Sequence, residues 1–362
     1  MLPLIIYFQY EAPAFSFLAN VAAVPLATCA FTLAFLLIFL PYTVFHEAIS
    51  WMIQGVLWIS RQSYGMLTIG HVPFLWVLLF YFMTGLWIWK KNGQNRHIRI
   101  SLAYVIMIIL IWIPMARRKS LAFLDVGQGD CFVADTKSGA IIFDGGSSSE
   151  DQVGRYRILP YMKYLGYQKI QIAVISHMDI DHYSGIKELL EMGKIKYLGL
   201  PEIPKDETMK KIIGIAKKRG TTIFYLSRGR QITTKDGSLK VLHPQKNSQM
   251  EKNAASLVMQ GKILGYRVLL TGDVEKEGEE ELLSEELERA DILKAAHHGS
   301  KNSTSNEFLQ KVQPKQTVIS CGKQNRYGHP HLETIHRLQT YRTKIYRTDR
   351  SGAIIFFKRR DG

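Results

Sequence analysis

The sequence contains few cysteines, and they are far apart. Cys29, Cys131 and Cys321 are its three cysteines in 362 residues, and they lack the paired spacing of a zinc ribbon or a disulfide framework. We expect them to be small apolar packing residues. The opening also lacks a positively charged segment before its first apolar run and a small-residue cleavage site after it, so a cleaved signal peptide fits poorly.

Acidic residues are scarce in the first third of the chain. Glu11 and Glu47 are the only ones before Ser120, out of 31 in the whole chain. The formal net charge of the full sequence is +15. This shift in composition predicts a membrane region over residues 1–119, followed by a water-soluble domain over residues 120–362.

Long apolar runs dominate the first region. The segment His46–Ile59 is also mostly apolar, but it carries Glu47, Ser50 and Gln54 on one helical face. That face would line a polar path between helices, or else the segment lies in the membrane interface; both interpretations stay open. Three other runs are apolar and long enough to span a membrane: Phe15–Leu40, Val72–Trp89 and Ile98–Met115.

Two basic segments predict opposite orientations in the membrane. The short loop Lys90–Arg99 would be cytoplasmic, which puts the soluble domain outside, whereas Arg117–Lys119 argues the reverse. The short loop carries more weight, because long downstream domains are translocated largely regardless of their charge. We therefore expect a multi-pass cell-membrane protein in contact with lipid, with its soluble domain on the outer side.

In the second region, strand and helix signals alternate. Strands are predicted over 121–126, 131–136, 141–143, 170–175, 197–200 and 222–226, and later over 239–243, 256–260 and 266–270, with helices over 153–164, 185–192 and 206–219. Two halves, each with strands first and helices later, predict an α/β sandwich of two sheets with helices outside. The glycine pair at 127 and 129 does not predict a dinucleotide site, since no third glycine and no helix follow.

Potential metal ligands follow the predicted buried strand at 170–175. His177, Asp179, Asp181 and His182 lie within six residues, on what is predicted to be a loop before a helix that begins near Gly185. Their spacing suits two adjacent cations, as in two-metal hydrolytic sites. A solvated polar loop is the alternative, but four ligand-type residues at this spacing are unusual.

Three later segments complete the candidate set. Asp273 ends a predicted strand and is a candidate bridging ligand. His297 and His298 end another strand, and one of them is expected to be a ligand. Asn253 precedes a strand and offers an oxygen donor.

The sequence resembles the metallo-β-lactamase fold, whose His-x-His-x-Asp-His motif appears here as His177-x-Asp179-x-Asp181-His182. Asp at the second ligand position resembles one branch in particular, the C-terminal part of the ComEC-type competence proteins that form the DNA-uptake channel of natural transformation. Further segments carry this resemblance: Leu124–Asp130, Asp144–Gly146, Thr271–Asp273, His297–Ser300, Asn325–Pro330 and, in the membrane region, Ala19-Asn20-x4-Pro25.

The resemblance implies an α-helical transmembrane region followed by an αββα sandwich, and a membrane-anchored nuclease that degrades the non-transported DNA strand. Single-stranded DNA, other DNA-uptake proteins and a separately supplied N-terminal half of the channel are the implied partners. Two divalent ions are expected, and the oxygen-rich ligand set makes Mn²⁺ plausible beside Zn²⁺. The expected metal ligands are His177, Asp179, Asp181, His182, Asp273 and one of His297 and His298.

The chemistry of individual side chains predicts catalytic and substrate-binding roles. Asp179 or Asp181 is a candidate general base. His329, in a turn before a helix, either protonates the leaving oxygen or only fixes the turn. Asn253, Ser300, Lys301 and Ser303 are candidate substrate-binding residues. Two other classes stay open: a hydrolase of another phosphodiester or a phosphorylcholine ester, and a non-catalytic remnant of the channel.

Overall fold

The structure is a computed structural model that describes residues 2–13, 16–39, 43–61, 65–89, 101, 102, 105, 118–250, 253–285 and 287–359. Contacts within the chain divide it into two compact units, Met1–Pro114 and Met115–Gly362. Each unit is described by itself below.

The N-terminal unit is mainly helical. Among its described residues, one helix window, Ala19–Leu36, has the length and composition needed to cross a membrane, and Phe74–Leu86 is a shorter apolar helix. Gln54 donates to Ser50 at 3.4 Å, so the predicted polar face exists on its helix. The predicted span Ile98–Met115 lies almost wholly outside the described residues, and a multi-pass topology stays a prediction. The helices are Leu2–Gln9, Ser16–Leu36, Thr43–Arg61 and Phe74–Trp89, and strands β1 (Glu11–Pro13) and β2 (Met66–Thr68) pair antiparallel.

The C-terminal unit contains two seven-stranded mixed sheets. Their strand orders are β16-β3-β4-β5-β6-β7-β8 and β15-β14-β13-β12-β11-β10-β9. The strands of the first sheet are β3 (Ser120–Phe123), β4 (Phe132–Thr136), β5 (Gly139–Phe143), β6 (Ile170–Val174), β7 (Ile195–Pro201), β8 (Thr222–Leu226) and β16 (Ile354–Phe357). Those of the second are β9 (Gln231–Thr234), β10 (Gly237–His243), β11 (Val258–Ile263), β12 (Tyr266–Leu270), β13 (Ile292–Lys294), β14 (Gln316–Ile319) and β15 (Lys344–Arg347).

Three apolar clusters show that the sheets and helices form four layers. The middle cluster joins the facing sides of both sheets, for example Phe123 and Val174 of one with Val268 and Val318 of the other. The other two lie between each sheet and its outer helices. The predicted αββα sandwich is therefore confirmed. The outer elements are a π-helical turn Gly154–Ile158, the helices Leu159–Tyr164, Ile180–Glu191, Glu207–Lys218, Lys276–Leu283, Asn306–Val312, Leu332–Thr340 and Thr348–Ser351, and the 3-10 turn Ala296–Gly299.

Parallel strands occupy the part of each sheet that carries polar residues at the strand ends. Strands β5 to β8 run parallel in the first sheet, as do β12 to β15 in the second. Parallel strands end at the same edge of a sheet, and that edge is the usual position of a site in layered α/β folds. The chain leaves this edge in four places. Asp144 follows β5, Ser176 follows β6, Asp273 follows β12 and Ala295 follows β13.

The helix after β6 begins earlier than the sequence predicts. It starts at Ile180 rather than near Gly185, with Asp179 in extended conformation before it. Asp181 and His182 therefore lie in the first helical turn and not on a loop. Hydrophobic periodicity begins only at Ile186, because the first turn carries the polar residues of the site.

Two glycine-containing segments hold this first helical turn in place. The Gly145 N–H donates to the His182 carbonyl at 2.8 Å, and the Asp130 N–H donates to the Asp181 carbonyl at 3.0 Å. A Cβ atom on Gly146 would lie 2.5 Å from the Ile180 carbonyl oxygen. Since the contacting atoms are backbone, a side chain at Gly146 would displace the turn.

Gly146→Ala is expected to lower the free energy of unfolding of the C-terminal unit by about 1–3 kcal/mol through overpacking. Gly214→Ala is the matched control, because a Cβ at this helical position meets no atom within 4 Å. That control should be neutral or should raise stability by about 1 kcal/mol. Denaturant unfolding measures both variants, and equal stability of the two would contradict the proposed backbone contact.

Candidate metal centre

Buried hydrogen bonds on the Nδ1 side of the ring fix the orientation of His182. Its Nδ1 donates to Asp144 Oδ2 at 3.0 Å, and the other Asp144 oxygen accepts from the Ser176 N–H at 2.7 Å. His182 and Asp144 are both fully buried. A carboxylate bound to Nδ1 fixes the imidazole tautomer and leaves Nε2 available as a ligand atom.

Four donor atoms converge in front of His182. Its Nε2 lies 3.2 Å from Asp273 Oδ2. His298 Nε2 lies 3.4 Å from that same Asp273 oxygen and 3.4 Å from Asp181 Oδ2. Metal bonds of about 2.0–2.2 Å in tetrahedral geometry place neighbouring donors about 3.3–3.6 Å apart. The spacing of His182, Asp181, Asp273 and His298 therefore fits a single divalent cation.

The hydrogen bonding and the pKa values of these residues agree with a metal site. Nε2 of His177, His182 and His298 has no hydrogen-bond partner in the described part of the chain, although all three side chains are buried. Burial opposes charging of His298, yet the charges of Asp273 and Asp130 raise its pKa to about 10. Burial likewise opposes the charge of Asp181, but the adjacent His298 imidazole and the charge of His182 lower its pKa to about 2. This pocket stabilises positive charge, as a metal site must.

His177 and Asp179 form a second set of donors beside the first. His177 Nε2 lies 3.6 Å from Asp179 Oδ2, and the rings of His177 and His182 have centroids 4.1 Å apart. Asp179 is the more accessible carboxylate of the motif, with 37% of its side chain exposed, against 17% for Asp181.

The two adjacent histidines differ in position. Both have left-handed backbone conformations, with φ of 47° at His297 and 52° at His298. This turn points His298 into the donor cluster, where its Nδ1 donates to the Ser320 carbonyl at 2.9 Å. His297 instead bonds Glu275 at 2.8 Å and keeps its Nε2 3.8 Å from Asp273. Of the two, His298 presents its Nε2 to the donor cluster in this structure.

Comparison with known proteins agrees with this arrangement. The family model described as the metallo-beta-lactamase superfamily matches residues 124–323, which contain every donor described above. The chain belongs to this superfamily.

Two relatives indicate which branch of the superfamily this chain resembles. The chain is homologous to ComE operon protein 3 of Bacillus subtilis (34% identity over 75% of this chain and 38% of that protein). It is also homologous to Competence protein ComA of Neisseria gonorrhoeae (30% identity, 66% and 32% covered). The resemblance to ComEC-type competence proteins is therefore confirmed. The chain spans less than half the length of either relative.

Among solved structures, the metallo-beta-lactamase fold protein YhfI of Bacillus subtilis has a TM-score of 0.46 and 12% identity, with 65% of this chain and 99% of that chain covered.

Sequence reasoning missed two charged groups in this metallo-beta-lactamase domain. Asp130 joins His182, Asp273 and His298 in a group whose donor atoms lie within 4.8 Å of one another. However, Asp130 faces Nδ1 of both histidines, at 3.7 and 3.6 Å, and those nitrogens already bond Asp144 and Ser320. Asp130 thus lies on the Nδ1 side of both rings, whereas the Nε2 atoms face the donor cluster. A carboxylate after two glycines, just before a predicted buried strand, was the available signal.

Lys294 is the second group. It is 4% exposed and donates to the Gly272 carbonyl at 2.9 Å. Its ammonium forms an ion pair with Asp130 and lies 3.5 Å from Asp273 Oδ1. A lysine inside the apolar strand β13 was the sequence signal, because lysine is almost never fully buried unless paired.

Two of the predicted substrate-binding residues make hydrogen bonds within the fold. Ser303 is buried, and its hydroxyl donates to the Ala296 carbonyl at 2.9 Å, so it closes the turn after the histidines. Ser300 is also buried, and its Oγ accepts from the Asn302 N–H. Asn253 lies in a turn, and its amide makes no hydrogen bond to any residue described. Lys301 is exposed and lines a cavity of about 520 Å³ with Arg337 and Glu275.

His329 lies beside the donor cluster. Its ring centroid is 6.1 Å from that of His298 and 5.5 Å from that of His297. Burial and the neighbouring charges of His298 and His297 lower the pKa of His329 to about 4. The Asn325 side chain accepts from its N–H at 2.9 Å, so the backbone of His329 also fixes the turn.

Lys294→Met is expected to lower the free energy of unfolding of the metal-free C-terminal unit by about 3–5 kcal/mol, because the buried Asp130 carboxylate would lose its ion pair. Lys315→Met is the control. Lys315 pairs with Asp291 at 2.9 Å but is 63% exposed, and loss of an exposed pair costs at most about 1 kcal/mol. Equal losses in denaturant unfolding would contradict this role of Lys294.

Proposed function

We propose that this chain is a membrane-anchored, metal-dependent hydrolase of DNA phosphodiesters that acts in DNA uptake. One observation carries the proposal: four ligand atoms with metal-like spacing converge in a chain homologous to competence proteins. The proposed substrate is single-stranded DNA, namely the strand that is not transported, and the proposed setting includes other uptake components.

The donor set indicates which residues would hold the metal. Asp181, His182, Asp273 and His298 form the first ligand group, and His177 and Asp179 are proposed to hold a second ion beside it. Carboxylate oxygens supply half of these donors, and Asp179 stands where the family's motif has a histidine, which favours Mn²⁺ or another hard cation beside Zn²⁺. When bound, such ions lower the pKa of a coordinated water and stabilise negative charge on the phosphate.

The chain's own groups prepare the site for this chemistry. Asp144 and the Ser320 carbonyl fix His182 and His298 with Nε2 directed at the cluster. Lys294 compensates Asp130 and Asp273, so the carboxylates stay together at the end of the two sheets. Asp179 is the proposed proton acceptor for the attacking water, because it is more exposed than Asp181. His329 remains a candidate proton donor to the leaving oxygen.

Basic residues on the C-terminal unit favour a polyanionic substrate. Lys276, Lys301 and Arg337 line a cavity with three glutamates, one of which is Glu275, the partner of His297. Exposed lysines also lie on the helix Glu207–Lys218, which ends in Lys217 and Lys218. Contacts to phosphates position DNA without reading its sequence, which suits a degradative enzyme.

The full chain in detergent should cleave an end-labelled single-stranded oligonucleotide in Mn²⁺ or Zn²⁺, and EDTA should abolish cleavage. Asp181→Ala should reduce the rate to background, and Asp179→Asn by about 100-fold as expected for a lost general base. Asp236→Asn is the control, because this carboxylate pairs with Lys358 and is not one of the proposed ligands or catalytic residues.

Bound metal without cleavage of any phosphodiester would exclude the proposed hydrolase. Turnover of small phosphodiesters or phosphorylcholine esters alone would retain a hydrolase and exclude DNA as its substrate.

We further propose that the C-terminal unit lies outside the cytoplasmic membrane. The basic loop Lys90–Arg99 is short, so the positive-inside rule applies to it strongly. Alkaline phosphatase fused after Arg117 should be active, and green fluorescent protein at the same position should be dark. The reverse pattern would place the unit in the cytoplasm.

A further inference from the structure

The loop Gly322–His331 forms a rigid rim beside the metal centre. Asn325 holds its two ends together: its Nδ2 donates to the carbonyls of Gly322 at 2.9 Å and His329 at 2.6 Å, and its Oδ1 accepts from the His329 N–H. Arg326 and Tyr327 therefore project from a preorganised turn.

A series of rings joins this tip to the ligands. The Tyr327 and His329 rings are nearly parallel, with an interplanar angle of 21° and centroids 5.7 Å apart. The next ring is His298, 6.1 Å from His329 at 30°. A single imidazole thus separates an exposed tyrosine from a ligand candidate of the metal centre.

Arg326 extends the aromatic surface. Its guanidinium carbon lies 4.9 Å from the Tyr327 ring centroid, and a terminal nitrogen donates to the Tyr327 hydroxyl at 2.7 Å. The hydrogen bond to Tyr327 and, more weakly, the charge of Asp181 raise the pKa of Arg326. The guanidinium is positively charged at any physiological pH and is held beside the Tyr327 ring.

The fold itself does not account for this pair. Tyr327 is 42% exposed and Arg326 is also exposed. In the described part of the chain, Arg326 forms no ion pair with a carboxylate. A planar cation 4.9 Å from the centre of an exposed aromatic ring, beside the proposed phosphodiesterase site, offers the chemistry that binds nucleobases in single-stranded nucleic acid.

We propose that Arg326 and Tyr327 form a stacking platform for a nucleobase next to the phosphate that is cleaved. This inference rests on the proposed DNA hydrolase and names its substrate contact. Every base offers a π-face, so the platform would accept any sequence. Bases of a duplex are stacked on each other and unavailable, so the platform would favour single strands.

The test compares two oligonucleotides of equal length, one of thymidines and one of abasic tetrahydrofuran units, with the full chain in detergent and Mn²⁺. The wild-type chain should show a KM for the thymidine strand lower by about tenfold or more, as expected for one stacked base. Tyr327→Ala and Arg326→Ala should remove that difference. Tyr327→Phe should retain it, because the ring remains, and Arg326→Lys should not, because planarity is lost.

The outcomes separate the two proposals. Mn²⁺ affinity, measured by calorimetry, should be unchanged in all four variants, which shows that the metal centre is intact. Cleavage of the thymidine strand with an unchanged KM in Tyr327→Ala would overturn the platform and leave the hydrolase standing. Equal losses on both strands in Arg326→Ala, rescued by Arg326→Lys, would identify a phosphate contact and overturn stacking. No cleavage by the wild-type chain would overturn both proposals.

Discussion

Burial of negative charge where the two sheets meet is the constraint on which the rest of this domain depends. Asp130, Asp144 and Asp273 are all nearly inaccessible to solvent. Buried carboxylates are tolerated only when paired with positive charge or hydrogen-bonded. Lys294 and the imidazoles of His182 and His298 provide that compensation, and the unbonded Nε2 atoms leave room for a metal to replace protons.

Each sheet contributes one side of this charge cluster. The first sheet presents Asp144 after β5 and the His177–His182 segment after β6, whereas the second presents Asp273 after β12 and His298 after β13. Glycine allows the segments to approach, since a side chain on Gly146 would meet the backbone of Ile180. Left-handed backbone at Asp144 and His298 completes the arrangement. Such strained positions persist only where the surrounding contacts hold them.

The rim loop Gly322–His331 connects the metal centre with the side chains that are proposed to contact substrate. Asn325 fixes the loop by three hydrogen bonds, so the exposed Arg326 and Tyr327 are held ready before any substrate arrives. Preorganisation lowers the entropy lost on binding. The inner end of the same ring series reaches His298. The side chains proposed to contact substrate and the proposed metal ligands are thus parts of one connected structure.

Much of the fold and the site follows from the sequence. Alternation of apolar strands and amphipathic helices predicted the four-layer sandwich, and the spacing of His177, Asp179, Asp181 and His182 predicted a metal centre. Strands β9, β14, β15 and β16 were missed because each has only four residues, so the local pattern is weak.

Only the tertiary structure decided which groups meet. It selected His298 over His297, because a left-handed turn directs one ring inward. It brought Asp130 and Lys294 together across 164 positions of sequence, since β13 lies beside β12 and faces the loop before β4. Ser303 was assigned to the turn rather than to substrate. Residue types and spacing define the chemistry available to the chain, but distances between strands of different sheets exist only once the core has packed.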